Sequence, residues 1–265
     1  MAEMKAHKRI NDILLGPIER PALRWLAAHM PAWVSPDHLT AVGFAGSLII
    51  FTGYALTLIH PAFLWLASLG FVINWFGDSL DGTLARYRDI QRPRYGYFID
   101  HTMDSLSEML VFLGLGLSPY VRFDLAALAL IGYMLMSILV YITTYVNGEF
   151  KISYAKIGPT EMRLIAILAN TLIFFIGNPT LTLAAFTTTV YDVLVGIIAI
   201  ALITAFVVSS LIQASALARM DEKTLERRKL KQRRRELQRE LRSERREQKK
   251  LAQKKAGLIA ARSKG

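Results

Sequence analysis

Long apolar stretches alternate with short polar linkers along most of this 265-residue chain. Six of these stretches approach or exceed the roughly 20 residues that a helix needs to cross a bilayer. They lie at residues 39–59, 61–77, 105–121, 125–146, 162–178 and 190–214. We therefore expect an all-α integral membrane protein built as a bundle of six transmembrane helices.

Two of these helices should extend beyond their apolar parts into a segment rich in carboxylates. The second should continue past Asp78 towards Arg86, and the third should begin before Asp100. Asp78 and Asp81 are three residues apart, and Asp100 and Asp104 are four apart, so each pair shares one helix face. A carboxylate at membrane depth costs roughly 2.5–3.5 kcal/mol, so such groups usually line a polar site and carry function.

The regions on either side of the predicted bundle have different patterns. Residues 8–34 mix apolar and charged positions, which fits an amphipathic helix in the membrane interface or a solvated helix packed on the body. Ser35-Pro36-Asp37 then indicates a helix start. We predict an N-terminal interfacial segment at 1–34, a six-span catalytic domain at 35–215 and a basic tail at 216–265.

The positive charge of the chain belongs to that tail. The formal net charge is +11, and residues from Arg219 to Gly265 hold 19 basic and 7 acidic side chains, so the rest is close to neutral. The tail should form a long exposed helix with some i,i+4 ion pairs, either solvated or attracted to anionic lipid headgroups. The run has no interleaved aromatic residues, so no nucleic-acid partner is expected.

Basic residues also predict the orientation in the membrane. The linkers at 86–98 and 147–163 are rich in Lys and Arg, whereas the linkers on the other side hold little charge. The positive-inside rule then places the carboxylates and both termini on the cytoplasmic side, in the cell (inner) membrane.

The carboxylates themselves favour divalent-metal chemistry. Carboxylate oxygens are hard ligands that suit Mg²⁺, Mn²⁺ or Ca²⁺, and the chain has no cysteine, which excludes thiolate sites. Two helices that each present a carboxylate pair would hold two cations, which in turn bridge a diphosphate. Arg86 would add a fixed charge for a phosphate oxygen, and a carboxylate not committed to metal would accept a proton from a hydroxyl. The residues alone therefore favour phosphoryl transfer.

Residues 78–104 follow the pattern Asp-x2-Asp-Gly-x2-Ala-Arg-x9-Gly-x3-Asp-x3-Asp. This pattern resembles the signature of the CDP-alcohol phosphotransferase family. The resemblance implies a membrane enzyme of phospholipid synthesis, a homodimer with six helices around the site. Such an enzyme transfers a substituted phosphate from a CDP-linked donor to an alcohol hydroxyl and releases CMP.

The resemblance also implies roles for particular residues. Asp104 corresponds to the general base. His101, judged from its position beside Asp100, is a second proton acceptor, a partner that orients an aspartate, or simply a histidine on the helix surface. Two Mg²⁺ ions, or Mn²⁺, would be held by Asp78, Asp81, Asp100 and Asp104. The nucleotide-binding positions would be Gly82, Ala85, Arg86 and Gly96.

Three further segments resemble the choline/ethanolamine phosphotransferase branch, namely residues 32–43, 97–106 and 143–161. That branch joins CDP-choline or CDP-ethanolamine to diacylglycerol. The alternative is transfer from CDP-diacylglycerol to inositol phosphate, glycerol phosphate or serine, although the Arg-rich run common in such enzymes is replaced here by YVNGEFK. Glu149, Lys151 and Glu161 are candidates for shaping the acceptor pocket.

Two functions outside the family are also considered. An intramembrane prenyltransferase would need an aspartate at position 85, which is Ala85 here, and more than six spans. An ion-binding transporter would place its carboxylates in the middle of spans, and CMP binding would distinguish it from the enzyme.

Overall fold

A computed structural model describes residues 14–147, 158–183 and 186–262. The described part is nearly all helical, with one short antiparallel strand pair. In chain order the elements are α1 (Gly16–His29), α2 (Pro36–Leu56), α3 (Phe63–Tyr87), α4 (Pro93–Leu117), α5 (Phe123–Asn147), α6 (Pro159–Ile176), β1 (Thr180–Leu183), β2 (Phe186–Thr189) and α7 (Val190–Arg262).

The six apolar segments correspond to α2 through α7. Both predicted extensions are confirmed, since α3 continues to Tyr87 and α4 begins at Pro93. Within the described residues, five helices are long and apolar enough to cross a membrane: α2, α3, α5, α6 and the first part of α7. The remaining helix, α4, has 25 residues but begins with the polar motif, so its apolar part is shorter.

Glycines bring α2 and α3 unusually close together. A Cβ added to Gly77 would lie 2.2 Å from the backbone nitrogen of Gly43, and one added to Gly46 would lie 2.4 Å from that of Asn74. Small residues at such positions let helix backbones approach each other within a membrane. This contact places Asp78, the residue after Gly77, directly beside the first turns of α2.

The N-terminal helix α1 packs on the body of the bundle. Leu23 and Ala27 on one face of α1 are buried together with Leu80 and Leu84 of α3. The opposite face leaves Trp25 exposed. The packing of one face agrees with the interpretation of this segment as a helix packed on the body. The position of α1 in the membrane interface stays a prediction.

Polar contacts anchor α1 to two other helices. The Oε1 atom of Glu19 accepts hydrogen bonds from Trp75 Nε1 of α3 at 2.8 Å and from Thr160 Oγ1 of α6 at 2.7 Å. Arg88, at the end of α3, donates to backbone carbonyls of the loop after α1, at Met30, Pro31, Ala32 and Val34. These bonds fix the chain that leads into α2.

The uncharged linker before α7 contains a strand pair that the sequence did not predict. It contains the β1–β2 pair, in which Thr180 faces Thr189 and Thr182 faces Thr187. Threonine is a good strand former because its branched Cβ suits extended backbone. The pair leads directly into the start of α7.

The chain divides into two compact units, Met1–Val208 and Ser209–Gly265. The second unit holds the basic tail, which is helical to Arg262 as predicted. Its described side chains beyond Arg219 are exposed, and no ion pair forms among them. The predicted i,i+4 pairs are therefore not made there. Acidic residues in this run seldom have a basic residue four positions later.

Candidate active site

A pocket lies where α2, α3 and α4 meet. Its wall combines three of the predicted aspartates with polar and small residues from α2 and α3. The lining residues are Thr40, Gly43, Phe44, Asn74, Asp78, Asp100, Met103, Asp104 and Ser107. The structure therefore brings the two halves of the sequence motif to one place.

The carboxylates of α3 already have partners on other elements or in the local backbone. Asp78 Oδ2 accepts a hydrogen bond of 2.5 Å from Nη2 of Arg163, which lies on α6. Asp81 accepts one of 2.6 Å from Thr40 Oγ1 and another from the backbone N–H of Gly82. Thr40 thus links the start of α2 to the second aspartate of the motif.

On α4, an imidazole stands beside the two carboxylates. His101 Nδ1 lies 3.8 Å from Asp100 Oδ2 and 4.0 Å from Asp104 Oδ2. One ligand atom from each of the three residues falls within 4.8 Å of the other two, which is close enough for a shared metal ion. The imidazole ring packs against Tyr97 and Tyr141, with centroids at 4.2 and 5.1 Å.

This grouping differs from the set of four aspartates that the family resemblance implies. In the described residues, the group with metal-ligand spacing consists of Asp100, His101 and Asp104. Asp78 and Asp81 lie near it but are held by Arg163 and Thr40. The four-aspartate set stays a prediction.

The predicted nucleotide positions lie on the same two helices. The Arg86 guanidinium covers Gly82, so that a Cβ there would lie 3.2 Å from Nη1, and its Nη2 donates to Thr83 Oγ1 at 3.1 Å. A Cβ on Gly96 would meet no described atom within 4 Å. Packing among the described residues therefore does not require glycine at position 96. Ala85 lies one residue before Arg86 on α3.

Two charged residues at the site were not singled out from the sequence. Arg163 was counted only as a linker charge, although it pairs with Asp78 across 85 positions of sequence. Glu108 is a further, half-buried carboxylate of α4. Its position four residues after Asp104, on the same helix face, was a signal in the sequence.

Arg92 and the acceptor-pocket candidate Glu161 both have structural partners. Arg92 forms an ion pair with Asp37, which raises the pKa of the guanidinium, and it also stacks on Tyr95 at 4.2 Å. Glu161 accepts hydrogen bonds from the backbone N–H groups of Leu15 at 2.8 Å and Gly158 at 2.9 Å. Both of its oxygens therefore take part in helix capping.

The remaining acceptor-pocket candidates, Glu149 and Lys151, lie outside the described residues.

Comparison with known proteins identifies relatives of this arrangement. The family model described as CDP-alcohol phosphatidyltransferase matches residues 33–207. This match covers about two thirds of the chain and includes every residue of the pocket.

Three curated relatives represent two kinds of enzyme. Cholinephosphotransferase 1 of Bos taurus is 30% identical over 164 residues, which cover 58% of this chain and 39% of the relative. Its Mus musculus counterpart is 28% identical, over 66% of this chain and 45% of the relative. The archaetidylinositol phosphate synthase of Pyrococcus horikoshii is 34% identical over 39% of this chain and 52% of the relative. The matched region thus spans about half or less of these relatives.

Proposed function

The chain belongs to the CDP-alcohol phosphatidyltransferase family, and we propose on that premise that it transfers a phospho-alcohol group from a CDP-alcohol to an alcohol hydroxyl, with release of CMP. The observation that carries the proposal is the pocket in which Asp78 of α3 meets Asp100 and Asp104 of α4. Each of these helices supplies one half of the family motif.

The residues present fit a divalent cation. Carboxylates are the oxygen ligands that Mg²⁺ and Mn²⁺ prefer, and ligand atoms of Asp100, His101 and Asp104 already lie within 4.8 Å of one another. Asp78 and Asp81 complete the proposed set, which would hold two ions. When bound, such ions neutralise charge on a diphosphate and on the leaving CMP.

Asp104 is the proposed general base, which takes the proton from the attacking hydroxyl. His101 Nδ1 lies 4.0 Å from the Asp104 carboxylate, and its ring is held between two tyrosines. We assign His101 the task of orienting Asp104 and of sharing the transferred proton. A positioned base of this kind contributes about a hundredfold to ten-thousandfold to a rate.

The cytidine nucleotide is proposed to lie against Gly82, Ala85, Arg86 and Gly96. Arg86 is exposed on the last turn of α3, where its guanidinium can reach a phosphate oxygen. The space beside Gly96, which no described atom fills within 4 Å of an added Cβ, supports this placement, since a bound nucleotide would account for the missing side chain.

For the substrates, we propose CDP-choline or CDP-ethanolamine as donor and diacylglycerol as acceptor. The similarity to cholinephosphotransferases supports this choice. The second candidate is transfer from CDP-diacylglycerol to a small polar alcohol such as inositol phosphate, glycerol phosphate or serine. The similarity to an archaetidylinositol phosphate synthase favours it.

The membrane arrangement follows from the same proposal. We propose that α4 is the sixth span, because its 25 residues extend about 37 Å as a helix, enough to cross the hydrocarbon core. The site and both termini then lie on the cytoplasmic side, with domains at 1–34, 35–215 and 216–265, and the enzyme functions as a homodimer.

The test is CMP release by the purified protein in lipid–detergent micelles, with and without Mg²⁺. One substrate set is CDP-choline or CDP-ethanolamine with diacylglycerol, and the other is CDP-diacylglycerol with the small alcohols. Release from the first set only supports the proposed substrates, and release from the second only supports the alternative. If neither set gives CMP and no CDP-linked donor binds, the enzyme proposal is wrong.

A further inference from the structure

Arg163 forms an ion pair with Asp78, one of the carboxylates that line the pocket. It lies in the second turn of α6, and its side chain is 13% exposed. Nη2 donates to Asp78 Oδ2 at 2.5 Å, and Nε donates to Asn74 Oδ1 at 2.7 Å. One guanidinium thus binds two residues that line the pocket.

The orientation of Asn74 is fixed independently of Arg163. Its Nδ2 atom donates to the Gly43 carbonyl and to Ser47 Oγ, each at 3.0 Å. Because an amide nitrogen only donates, the carbonyl oxygen of Asn74 must face Arg163. The close contact of α2 with α3 therefore builds a fixed acceptor that holds the guanidinium by its Nε atom.

The guanidinium is only partly satisfied by these contacts. Nη1 is buried and has no hydrogen-bond partner among the described residues. A buried donor without an acceptor is costly, so the few that occur call for an explanation such as a ligand that fills the gap.

We propose that Arg163 is a resident counter-ion of this carboxylate cluster and that it exchanges Asp78 for an oxyanion of the bound donor. In the metal-free protein it neutralises Asp78. When Asp78 is needed as a ligand, the guanidinium stays attached to Asn74 and offers its two Nη groups to a diphosphate oxygen. This inference rests on the proposed function, because the oxyanion is the diphosphate of the CDP-linked donor.

A purely structural ion pair would behave differently. Removing a cation from beside Asp78 makes that carboxylate more available to a divalent metal, so metal affinity should rise. The same change removes a charged donor from the diphosphate, so nucleotide affinity should fall. An arginine that only supports the fold would lower both affinities together when it is lost. The opposite signs of the two changes identify the exchange.

The experiment uses the full chain in lipid nanodiscs, with Mn²⁺ and CDP as probes in separate titrations. For Arg163→Gln we expect Mn²⁺ affinity to rise about fivefold and CDP affinity at saturating Mn²⁺ to fall about tenfold, the order expected for one charge-assisted hydrogen bond. Arg163→Lys keeps the charge but loses the planar fork. It should therefore leave Mn²⁺ affinity near the wild-type value and restore CDP affinity only in part.

Arg122→Gln is the matched control. Arg122 forms an ion pair with Asp124 at an N–O distance of 2.6 Å, and neither residue lines the pocket. The substitution should change neither affinity. Parallel losses of Mn²⁺ and CDP affinity in Arg163→Gln, or no change in either, would overturn the exchange. If Arg163→Gln does not fold, the Arg163→Lys variant tests the proposal. Wild-type CDP affinity in Arg163→Lys would contradict a role for the planar guanidinium.

The two proposals fail in different ways. CDP that binds to the wild type and equally to Arg163→Gln refutes the exchange and leaves the proposed function intact. A wild type that neither binds CDP nor releases CMP refutes the proposed function and the oxyanion step with it. In that case a rise in Mn²⁺ affinity on Arg163→Gln would still establish the counter-ion.

Discussion

Two aspartates of this protein, Asp192 and Asp78, are both held in ion-pair or hydrogen-bond networks, yet their surroundings differ. Asp192 is 5% exposed and lies in the first turn of α7. Its Oδ1 accepts from the backbone N–H of Arg122 at 2.8 Å and its Oδ2 from that of Thr189 at 3.4 Å. Thr189 Oγ1 accepts in return from the Asp192 N–H at 3.1 Å, which completes a capping box.

Asp78 lies in the interior of α3, where the helix has no free N–H groups to offer a carboxylate. Its described partner is the side chain of Arg163, and it faces the pocket beside Asp100 and Asp104. A carboxylate saturated by backbone donors at a helix start stabilises the fold. A carboxylate inside a membrane helix that is held by one side chain, and not by backbone donors, is available for a ligand.

The largest expected effect separates chemistry from binding within the pocket. Asp104→Asn should lower CMP release by about a hundredfold to ten-thousandfold, because an amide cannot accept the proton of the attacking hydroxyl. Donor affinity should fall much less, by about tenfold at most, since the ligand set loses one charge while the amide oxygen keeps the position of a ligand atom. Turnover and CDP titration measure the two quantities. Equal loss of both would contradict the assignment of Asp104 as base.

The next effect concerns the helix contact that positions Asp78. Gly77→Ala should destabilise the protein by about 3 kcal/mol or more, because the added Cβ would lie 2.2 Å from backbone of α2, and backbone cannot rotate away. Thermal unfolding in detergent would measure the loss.

Gly96→Ala is the matched change at a glycine of the proposed nucleotide site. No described atom lies within 4 Å of its Cβ, so unfolding should be unaffected or occur at higher temperature. CDP affinity should nevertheless fall. Unchanged CDP affinity would remove Gly96 from the proposed nucleotide site.

A smaller effect is expected on metal binding. Asp78→Asn should weaken Mg²⁺ binding by about tenfold, because the charge of the ligand set contributes directly to the affinity of such sites. Donor binding should weaken with it. Calorimetric titration with Mg²⁺, after EDTA has removed any bound metal and has itself been removed, measures the change in Mg²⁺ affinity. Wild-type Mg²⁺ affinity in this variant would mean that Asp78 is not a ligand.

The smallest effect tests the other member of the comparison. Asp192→Ala should lower stability by about 1–2 kcal/mol, the usual loss when a capping interaction is removed. Its turnover per folded molecule should match that of the wild type. A specific loss of turnover without a fall in unfolding temperature would show that Asp192 is not purely structural and would break the contrast with Asp78.

The apolar pattern predicted the helices well because a helix that crosses a bilayer requires a long run of apolar residues. It placed the segments that became α2 to α7, and the spacing of Asp78, Asp81, Asp100 and Asp104 predicted the polar extensions of α3 and α4. The threonine-rich strand pair was missed, because four-residue strands in an uncharged linker give only a short signal.

The candidate site was predicted only as far as its local motif extends. The sequence identified the aspartates and His101, since they recur at helical spacing within 27 residues. It did not identify Arg163, which reaches Asp78 from another helix. Glu108 was missed although it continues the spacing of Asp100 and Asp104, because the family pattern ends at Asp104.

By itself, therefore, the sequence determined which segments are helical, which ends of them are polar and which family the motif belongs to. These properties depend on neighbours along the chain, where hydropathy and helical period act directly. Only the tertiary structure decided which charged side chains lie beside each other. The glycine contact between α2 and α3 fixes Asn74, Asn74 holds Arg163, and Arg163 reaches Asp78. These contacts form only when the helices pack together. The spacing of residues within one segment does not encode them.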